Sequence, residues 1–168
     1  YDAGVAALDL TEVNLAQFLE ATVSNHDNIS LHLPPDADSL VIEADKRRLA
    51  RVMANLLDNA HRYGGGATSV WLKRGDVLTI AVEDQGPGIP ISERSQIFDR
   101  FSRGSAGGRR GNDEGTGLGL SLVTEDLRLH GGQARVEDRS DGNPGARFIL
   151  ELPLPSPAEE AENQVSDR

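Results

Sequence analysis

The sequence contains no cysteine, few aromatic residues and no long apolar run. The absence of cysteine excludes disulfide bonds and thiol chemistry, and it is typical of a reducing compartment. No stretch approaches the ~20 apolar residues that a membrane-spanning helix needs, and no signal-peptide pattern stands at the start. Because the first residue is Tyr1 rather than methionine, we expect the sequence to be a segment of a longer protein.

Positive charge is also scarce relative to negative charge. There are 17 Lys and Arg residues against 27 Asp and Glu residues, and the formal net charge is −10. This balance argues against nucleic acid as the main partner, but it does not exclude ATP, since local arginines and a metal ion decide phosphate binding. The 168 residues, with 38% hydrophobic content, indicate one domain with a substantial core.

The common glycine-rich phosphate loops are missing as well. No glycine is followed by lysine, which excludes a P-loop. The segment from Gly115 to Leu120 (GTGLGL) has leucine where the dinucleotide-binding fingerprint requires its third glycine. Glycines that lead into a helix nevertheless expose N–H groups at the positive end of the helix dipole, which favours anion binding. Helices also begin after glycine for purely structural reasons, so this segment alone leaves both interpretations open.

The most informative stretch runs over residues 45–63. Six apolar residues recur there at helical spacing and predict a helix of about five turns with one buried face. These residues are Leu49, Val52, Met53, Leu56, Leu57 and Ala60. The other side carries Asn55, Asn59 and Arg62 as one polar stripe. Asparagine is a poor helix former, so two of them a turn apart indicate either a functional stripe or a solvated face.

The remaining pattern alternates short strands and helices. Strands are predicted at residues 10–13, 29–33 and 40–43, and Asn14 begins a helix that ends near residue 24. Residues 68–74 and 77–83 predict one hairpin, and residues 134–137 and 146–152 predict a closing hairpin. We predict a short helix from Ser92 to Phe98. Residues 101–115 are glycine-rich and lack periodicity, which predicts a mobile functional loop.

Asp84 follows the second strand of the first hairpin and precedes a glycine-rich turn, Gln-Gly-Pro-Gly. A carboxylate in such a place can accept a hydrogen bond from the exocyclic amine of adenine, whereas guanine offers an oxygen there. Gly86 and Gly88 would let the backbone approach a base without an intervening side chain. The alternative is a tight turn without a ligand, and Asp84 alone does not decide between the two.

Taken in order, these motifs closely resemble the N, G1, F and G2 boxes of sensor histidine kinases. That family belongs to a superfamily with DNA gyrase, certain chaperones and mismatch-repair ATPases. The resemblance implies a two-layer α/β sandwich: a mixed, mostly antiparallel sheet with helices on one face and ATP under a flexible lid. It covers residues 10–152, which are thereby expected to be an ATP-binding catalytic domain. Residues 1–9 lack a strong periodicity and are predicted to be a linker from an upstream phosphoacceptor domain, and the proline-rich, acidic residues 153–168 are predicted to be a disordered tail.

The resemblance implies a role for each matching residue at the phosphate end. Asn59 corresponds to the Mg²⁺ ligand, and Asn55 to the neighbouring residue that supports the metal and the phosphates. Arg62 and Arg103 stand where family members place residues that face phosphate. The resemblance therefore makes Asn55, Arg62 and Arg103 the candidate catalytic residues.

At the base end and in the lid, the resemblance implies a further set of nucleotide contacts. Tyr63 lies near the nucleotide, Asp84 reads adenine beside Gly86 and Gly88, and Phe98 and Phe101 anchor the lid. The glycine-rich G2 box closes the lid onto the triphosphate. Its residues are Gly115, Thr116, Gly117, Leu118 and Gly119. Arg109 and Arg110 are either phosphate contacts or part of a solvated loop.

One position separates the branches of the superfamily. The hydrolytic members carry a glutamate four residues before the metal asparagine, where it orients an attacking water. Here that position is Asn55, and an amide cannot act as a general base. This substitution favours a kinase over an ATPase. None of the four histidines matches the family's phosphoacceptor pattern, and we interpret them as structural or surface residues. They are His26, His32, His61 and His130.

The resemblance thus implies the catalytic domain of a two-component sensor histidine kinase. It would transfer the ATP γ-phosphoryl group to a histidine on a separate upstream dimerisation domain, and a response regulator would be its partner. We expect a cytoplasmic domain, without nucleic-acid or direct membrane contact, of a membrane-anchored bacterial sensor. A serine kinase of the anti-sigma-factor type is one alternative, although the F and N boxes argue against it. A module that senses nucleotide and transfers nothing is the other.

Overall fold

The computed structural model of the chain describes residues 7–99 and 119–154. These residues form seven strands and three α-helices arranged in two layers. The helices are α1 Leu15–Ser24, α2 Lys46–Tyr63 and α3 Gly119–Leu129. The strands are β1 Thr11–Asn14, β2 Ser30–His32, β3 Val41–Ala44, β4 Ala67–Arg74, β5 Val77–Asp84, β6 Gln133–Asp138 and β7 Ala146–Pro153.

Five of the strands form one mixed sheet in the order β2-β4-β5-β7-β6. Only β2 and β4 pair in parallel among the described strands of this sheet, and the other three pairs are antiparallel. Strands β1 and β3 form a separate two-stranded antiparallel ribbon. The predicted two-layer fold with a mostly antiparallel sheet is confirmed.

Alternation along the central strands determines which face is buried. In β4 and β5 the alternate residues Val70, Leu72, Leu78, Ile80 and Val82 are almost fully buried and join the same core as the helices. The residues between them in sequence point to the opposite face because neighbouring side chains of a strand alternate. Asp84, at the end of β5, therefore lies on the helix-covered face, and Glu83 lies on the other face.

The two predicted helix starts are confirmed by their caps. Asn14 Oδ1 accepts a hydrogen bond from the N–H of Gln17 at 3.0 Å, and Asp45 Oδ1 accepts one from the N–H of Arg48 at 3.2 Å. Each cap satisfies one N–H that the first turn of a helix leaves without a partner. All six apolar residues predicted for the buried face of α2 are in the core.

The predicted short helix from Ser92 to Phe98 is wrong. The structure has a single 3-10 turn at Ile91–Glu93, followed by further turns. Its backbone hydrogen bonds mostly join residues three apart, such as Gln96 N–H to Glu93 O at 3.0 Å. A segment this short forms too few bonds to offset the cost of starting an α-helix.

Residues next to the predicted domain boundaries contact the rest of the domain. The N–H of Asp9, which we assigned to the linker, donates to Asp45 Oδ2 at 3.1 Å. Strand β7 extends through Pro153, one residue past the boundary we predicted at 152, and Leu154 packs against the core. Residues 1–6 and 155–168 lie outside the described part, so the linker and the tail stay predictions.

A buried ionic cluster joins α2 to α3. Asp126 is fully buried, and its carboxylate accepts hydrogen bonds from Arg48 at 2.8 Å and from Arg51 at 2.7 and 2.9 Å. His130 Nε2 accepts from the N–H of Asp45 at 3.0 Å, so its Nδ1 carries the proton and donates to Asp126 O at 2.6 Å. Through these two bonds His130 joins the end of α3 to the start of α2.

Candidate nucleotide-binding site

Asp84 is the last residue of β5, and its side chain is 4% exposed. Its Oδ1 accepts hydrogen bonds from the N–H groups of Gly86 at 3.1 Å and Ala146 at 2.9 Å. The described residues make no further hydrogen bond to this carboxylate, and both bonds end at the same oxygen. Oδ1 is therefore fixed by the backbone, while Oδ2 keeps its capacity to accept a hydrogen bond.

The environment of Asp84 acts on its ionisation in two directions. Burial raises the pKa of the carboxyl above its usual value, because the charged form loses solvation. The N–H groups of Ala146 and Gly86 and the positive charge of Arg139 lower the pKa and partly offset burial. The pKa of Asp84 is nevertheless raised, so its charge depends on the groups around it.

Three glycines allow backbone segments to pack directly beside Asp84. A Cβ on Gly64, which ends α2, would lie 2.5 Å from Asp84 Oδ2. A Cβ on Gly86 would lie 2.5 Å from Gly64 Cα, so the turn and the helix end meet without side chains between them. Gly88 has a φ of +79° and faces the carbonyl of Gly145. These close approaches require glycine at 64 and 86.

The polar stripe of α2 lies beside the start of α3. Asn55 Nδ2 is buried and has no hydrogen-bond acceptor among the described residues. A Cβ on Gly119, the first residue of α3, would lie 3.8 Å from Asn55 Oδ1. Asn59 is half-buried one turn further along α2. A buried donor without an acceptor is costly, and here it lies next to a helix N-terminus, where anions are favoured.

No group of three or more His, Cys, Asp or Glu residues that could hold a metal ion occurs in the described residues. A magnesium ion at this site would therefore depend on amide oxygens and on oxygens of its ligand, which is usual for Mg²⁺ bound with nucleotide phosphates. The unpartnered Nδ2 of Asn55 fits a nucleotide bound with Mg²⁺, since a phosphate oxygen or a metal-bound water would accept its hydrogen bond.

The structure also describes three other predicted site residues, Arg62, Tyr63 and Phe98. Arg62 Nε is 3.1 Å from Asp58 Oδ2, and Tyr63 is half-buried where α2 ends. Phe98 packs edge-to-face on Phe148 of β7, with ring centroids 6.3 Å apart. The remaining predicted residues, and the predicted lid at 101–115, lie outside the described residues. They are Phe101, Arg103, Gly115, Thr116, Gly117 and Leu118.

Three residues that contact Asp84 were not predicted from the sequence. Gly64, the first of them, follows the helix that carries the asparagine stripe. Arg139 and Gly145 belong to a loop that was assigned only as a hairpin connection. Arg139 Nη1 donates to the carbonyl of Asp84 at 3.0 Å, and a Cβ on Gly145 would overlap that same carbonyl. These are contacts between distant segments, which local sequence does not reveal.

The fold defines a domain of the α/β sandwich class. A family model described as histidine kinase-, DNA gyrase B-, and HSP90-like ATPase matches residues 44–156. The chain belongs to this family, and it has the fold of the ATP-binding catalytic domain of sensor histidine kinases.

Individual proteins support this assignment. The signal transduction histidine-protein kinase AfsQ2 of Streptomyces coelicolor is 40% identical over 163 residues, which cover 94% of this chain and 29% of AfsQ2. The ATP-binding domain of PrrB from Mycobacterium tuberculosis is 30% identical with a TM-score of 0.65, covering 88% of this chain and 99% of that domain. The histidine kinase ThkA in complex with the response regulator TrrA is 26% identical with a TM-score of 0.64, and the match covers 87% of this chain and 42% of the ThkA chain.

The chain spans less than a third of the length of its relative AfsQ2. In the part of the chain that the structure describes, no helix is long and apolar enough to cross a membrane.

Proposed function

We propose that this domain binds ATP with Mg²⁺ and transfers the γ-phosphoryl group to a histidine on a separate dimerisation and phosphotransfer domain. The observation that carries the proposal is Asn55. Its amide is buried, lacks an acceptor, and stands at the position where the resemblance places a catalytic glutamate in hydrolytic members. An amide at this position donates to phosphate or to metal-bound water, and it cannot activate water for attack.

One end of the site binds the base, and the other end binds the phosphates. Asp84 orients the base, because its free carboxylate oxygen accepts the adenine amine while backbone N–H groups hold the other oxygen. Asn55, Asn59 and the N-terminus of α3 receive the phosphates beside the second half of α2. Mg²⁺, when bound, neutralises negative charge on the phosphates. Catalysis in this class of reaction consists mainly of positioning and electrostatic stabilisation, which these groups supply.

The acidic residue nearest to the stripe does not substitute for a base. The side chain of Asp58 is 60% exposed, and its carboxylate pairs with Arg62 on the following turn at 3.1 Å. A carboxylate held in this way on the outer side of the helix is not available to orient a water between Asn55 and Asn59. The bound ATP should therefore remain intact until an acceptor histidine approaches.

The proposed partner and acceptor domain are based on similar proteins. We propose a response regulator as the downstream partner, because the similar kinase ThkA forms a complex with one. We also propose that the acceptor histidine lies on another domain of the same protein, since AfsQ2 is much longer than this chain. Cytoplasmic placement, and dimerisation through that domain, remain predictions of the same kind.

The test is an incubation of this chain with γ-labelled ATP and Mg²⁺, with and without a histidine-bearing phosphoacceptor domain of the full-length protein. We expect binding and very slow phosphate release by the chain alone, and an acid-labile, base-stable phosphohistidine on the added domain. Asn59→Ala serves as the control that should abolish labelling without unfolding the chain.

Two results would contradict the proposal. Rapid phosphate release by the isolated chain would place it with the hydrolytic members of the superfamily. Tight ATP binding without any label on the acceptor domain would indicate instead a module that senses nucleotide.

A further inference from the structure

The loop between β6 and β7, residues 139–145, contacts the last two residues of β5. Arg139 Nη1 donates to the backbone carbonyl of Asp84 at 3.0 Å, and on the helix-covered face the N–H of Ala146, the residue that follows the loop, donates to Asp84 Oδ1 at 2.9 Å. On the other face, the N–H of Ser140 donates to the buried Glu83 Oε2 at 3.0 Å. These contacts hold Asp84, the residue proposed to recognise the base, in place.

Arg139 is held firmly within this loop. Its Nε and Nη2 donate to the carboxylate of Asp141 at 3.2 and 2.7 Å, and Asp141 in turn accepts from the backbone and side-chain N–H groups of Asn143. The side chain of Arg139 is 13% exposed. A guanidinium with three fixed bonds has little freedom, so both its donor and its charge are held next to Asp84.

The protonation of Asp84 determines which base it can recognise. An ionised carboxylate only accepts hydrogen bonds, which suits the exocyclic amine of adenine. A protonated carboxyl also offers an O–H donor, which suits the carbonyl oxygen of guanine. Because burial favours the protonated form, a nearby positive charge is needed to preserve the distinction.

We propose that Arg139 is a positioning residue that sets the base selectivity of this site. It holds the main chain of Asp84 and keeps the carboxylate ionised, so that the free oxygen accepts from adenine and rejects guanine. Arg139 does not touch the nucleotide itself. The inference rests on the proposed ATP site and adds to it the residue on which its selectivity depends.

Other charged groups near Asp84 are engaged elsewhere. Glu83 lies on the opposite face of β5, where Arg147 Nη1 is 3.4 Å from its carboxylate. The last turn of α2 carries His61, which is exposed, and Arg62, which pairs with Asp58. Asp141 partly offsets the charge of Arg139. Among the described residues, Arg139 is the one whose charge lowers the pKa of Asp84.

The experiment measures dissociation constants for ATP and GTP by calorimetry from pH 6 to pH 8, in wild type and in two variants of Arg139. Arg139→Gln keeps a side-chain N–H donor but removes the charge. Arg139→Lys keeps the charge but loses the planar guanidinium that binds Asp141 through two nitrogens. Because the two nucleotides carry the same triphosphate, the ratio of their constants cancels the titration of the phosphates. Arg135→Gln is the matched control, since Arg135 lies on the same hairpin and pairs with Glu137 and Glu151.

We expect the preference for ATP over GTP to fall about tenfold at neutral pH in Arg139→Gln, because the variant loses the positive charge that favours the ionised carboxylate of Asp84. Arg139→Lys should retain most of the preference, and Arg135→Gln all of it. The preference is present above the pKa of Asp84 and is lost as pH falls through it. Removing Arg139 raises that pKa, so the loss should begin at a higher pH in Arg139→Gln.

The outcomes separate the inference from the proposed function. If wild type prefers ATP and Arg139→Gln binds both nucleotides with an unchanged ratio, Arg139 is only structural and the inference is wrong. If Arg139→Gln does not fold, Arg139→Met takes its place, because it also removes the charge, and an unchanged ratio of the two dissociation constants in that variant would equally overturn the inference. If wild type itself shows no preference for ATP, the proposed adenine site fails, and the inference fails with it.

Discussion

The two ends of the candidate site differ in how completely the protein has built them. At the base end, backbone N–H groups fix Asp84 Oδ1, Gly64 packs against Oδ2, and Gly86 packs against Gly64. At the phosphate end, Asn55 and Asn59 are both half-buried, and the buried Nδ2 of Asn55 has no acceptor in the described part of the chain. Among the described residues, hydrogen bonds to the protein therefore fix the base end, whereas the phosphate end leaves a buried donor without a partner.

This difference follows from what each end is made of. The base end consists of strand ends and of a helix end, which the backbone hydrogen bonds of the sheet and of the helix hold in place. The phosphate end consists of side chains on one helix and the N–H groups that begin another. Helix α2 connects the two, since Asn55 and Gly64 are nine residues apart, about 13 Å along the axis. Damage to one end should therefore be separable from damage to the other.

The largest effect should come from Asp126, which holds α3 against α2 and so supports the phosphate end. Its carboxylate is fully buried and accepts from both Arg48 and Arg51. Asp126→Ala should lower the free energy of unfolding by about 3–5 kcal/mol, because it leaves two arginines without their buried counter-ion. Urea denaturation measures this loss.

The matched control for Asp126 is on the same helix. Glu125 pairs with Arg128 on the exposed surface of α3, where an ion pair contributes little. Glu125→Ala should unfold at nearly the same urea concentration as wild type. An Asp126→Ala protein as stable as this control would show that the cluster does not join the two helices.

The next effect concerns the base end. Asp84→Asn should weaken ATP binding by about 1–3 kcal/mol, because the adenine amine loses a charged acceptor. The fold should change less, since an asparagine oxygen can still accept from the N–H groups of Gly86 and Ala146. Calorimetry with ATP and GTP checks this. Unchanged ATP affinity, or equal affinities of wild type for ATP and GTP, would contradict the role of Asp84.

The distance in sequence between contacting residues explains which features could be predicted. Helix caps, the buried face of α2, the hairpins and the position of Asp84 were predictable, because each depends on residues close together in the chain. The clamp of Arg139 on Asp84 joins residues 55 positions apart, and the Asp126 cluster joins residues 75 and 78 apart. No local pattern marks such pairs. The helix predicted after Ser92 failed because sequence periodicity over seven residues does not distinguish an α-helix from successive turns.

The smallest effect should have the opposite sign. Asn55→Leu replaces a buried amide that lacks an acceptor with an apolar side chain of similar size, beside the start of α3. Without nucleotide, the free energy of unfolding should rise by about 1 kcal/mol, since the cost of an unsatisfied donor is removed. ATP·Mg²⁺ should stabilise the wild type and no longer stabilise the variant, because ligand binding to the folded state adds to its stability.

Urea unfolding with and without ATP·Mg²⁺ tests both halves of this expectation. Asn59→Leu is the control, because Asn59 is half-buried and replacing it removes no buried unsatisfied donor. That variant should lose the stabilisation by nucleotide without gaining stability in its absence. If Asn55→Leu is less stable than wild type without nucleotide, the protein already satisfies this amide. The phosphate end would then be as fully formed as the base end.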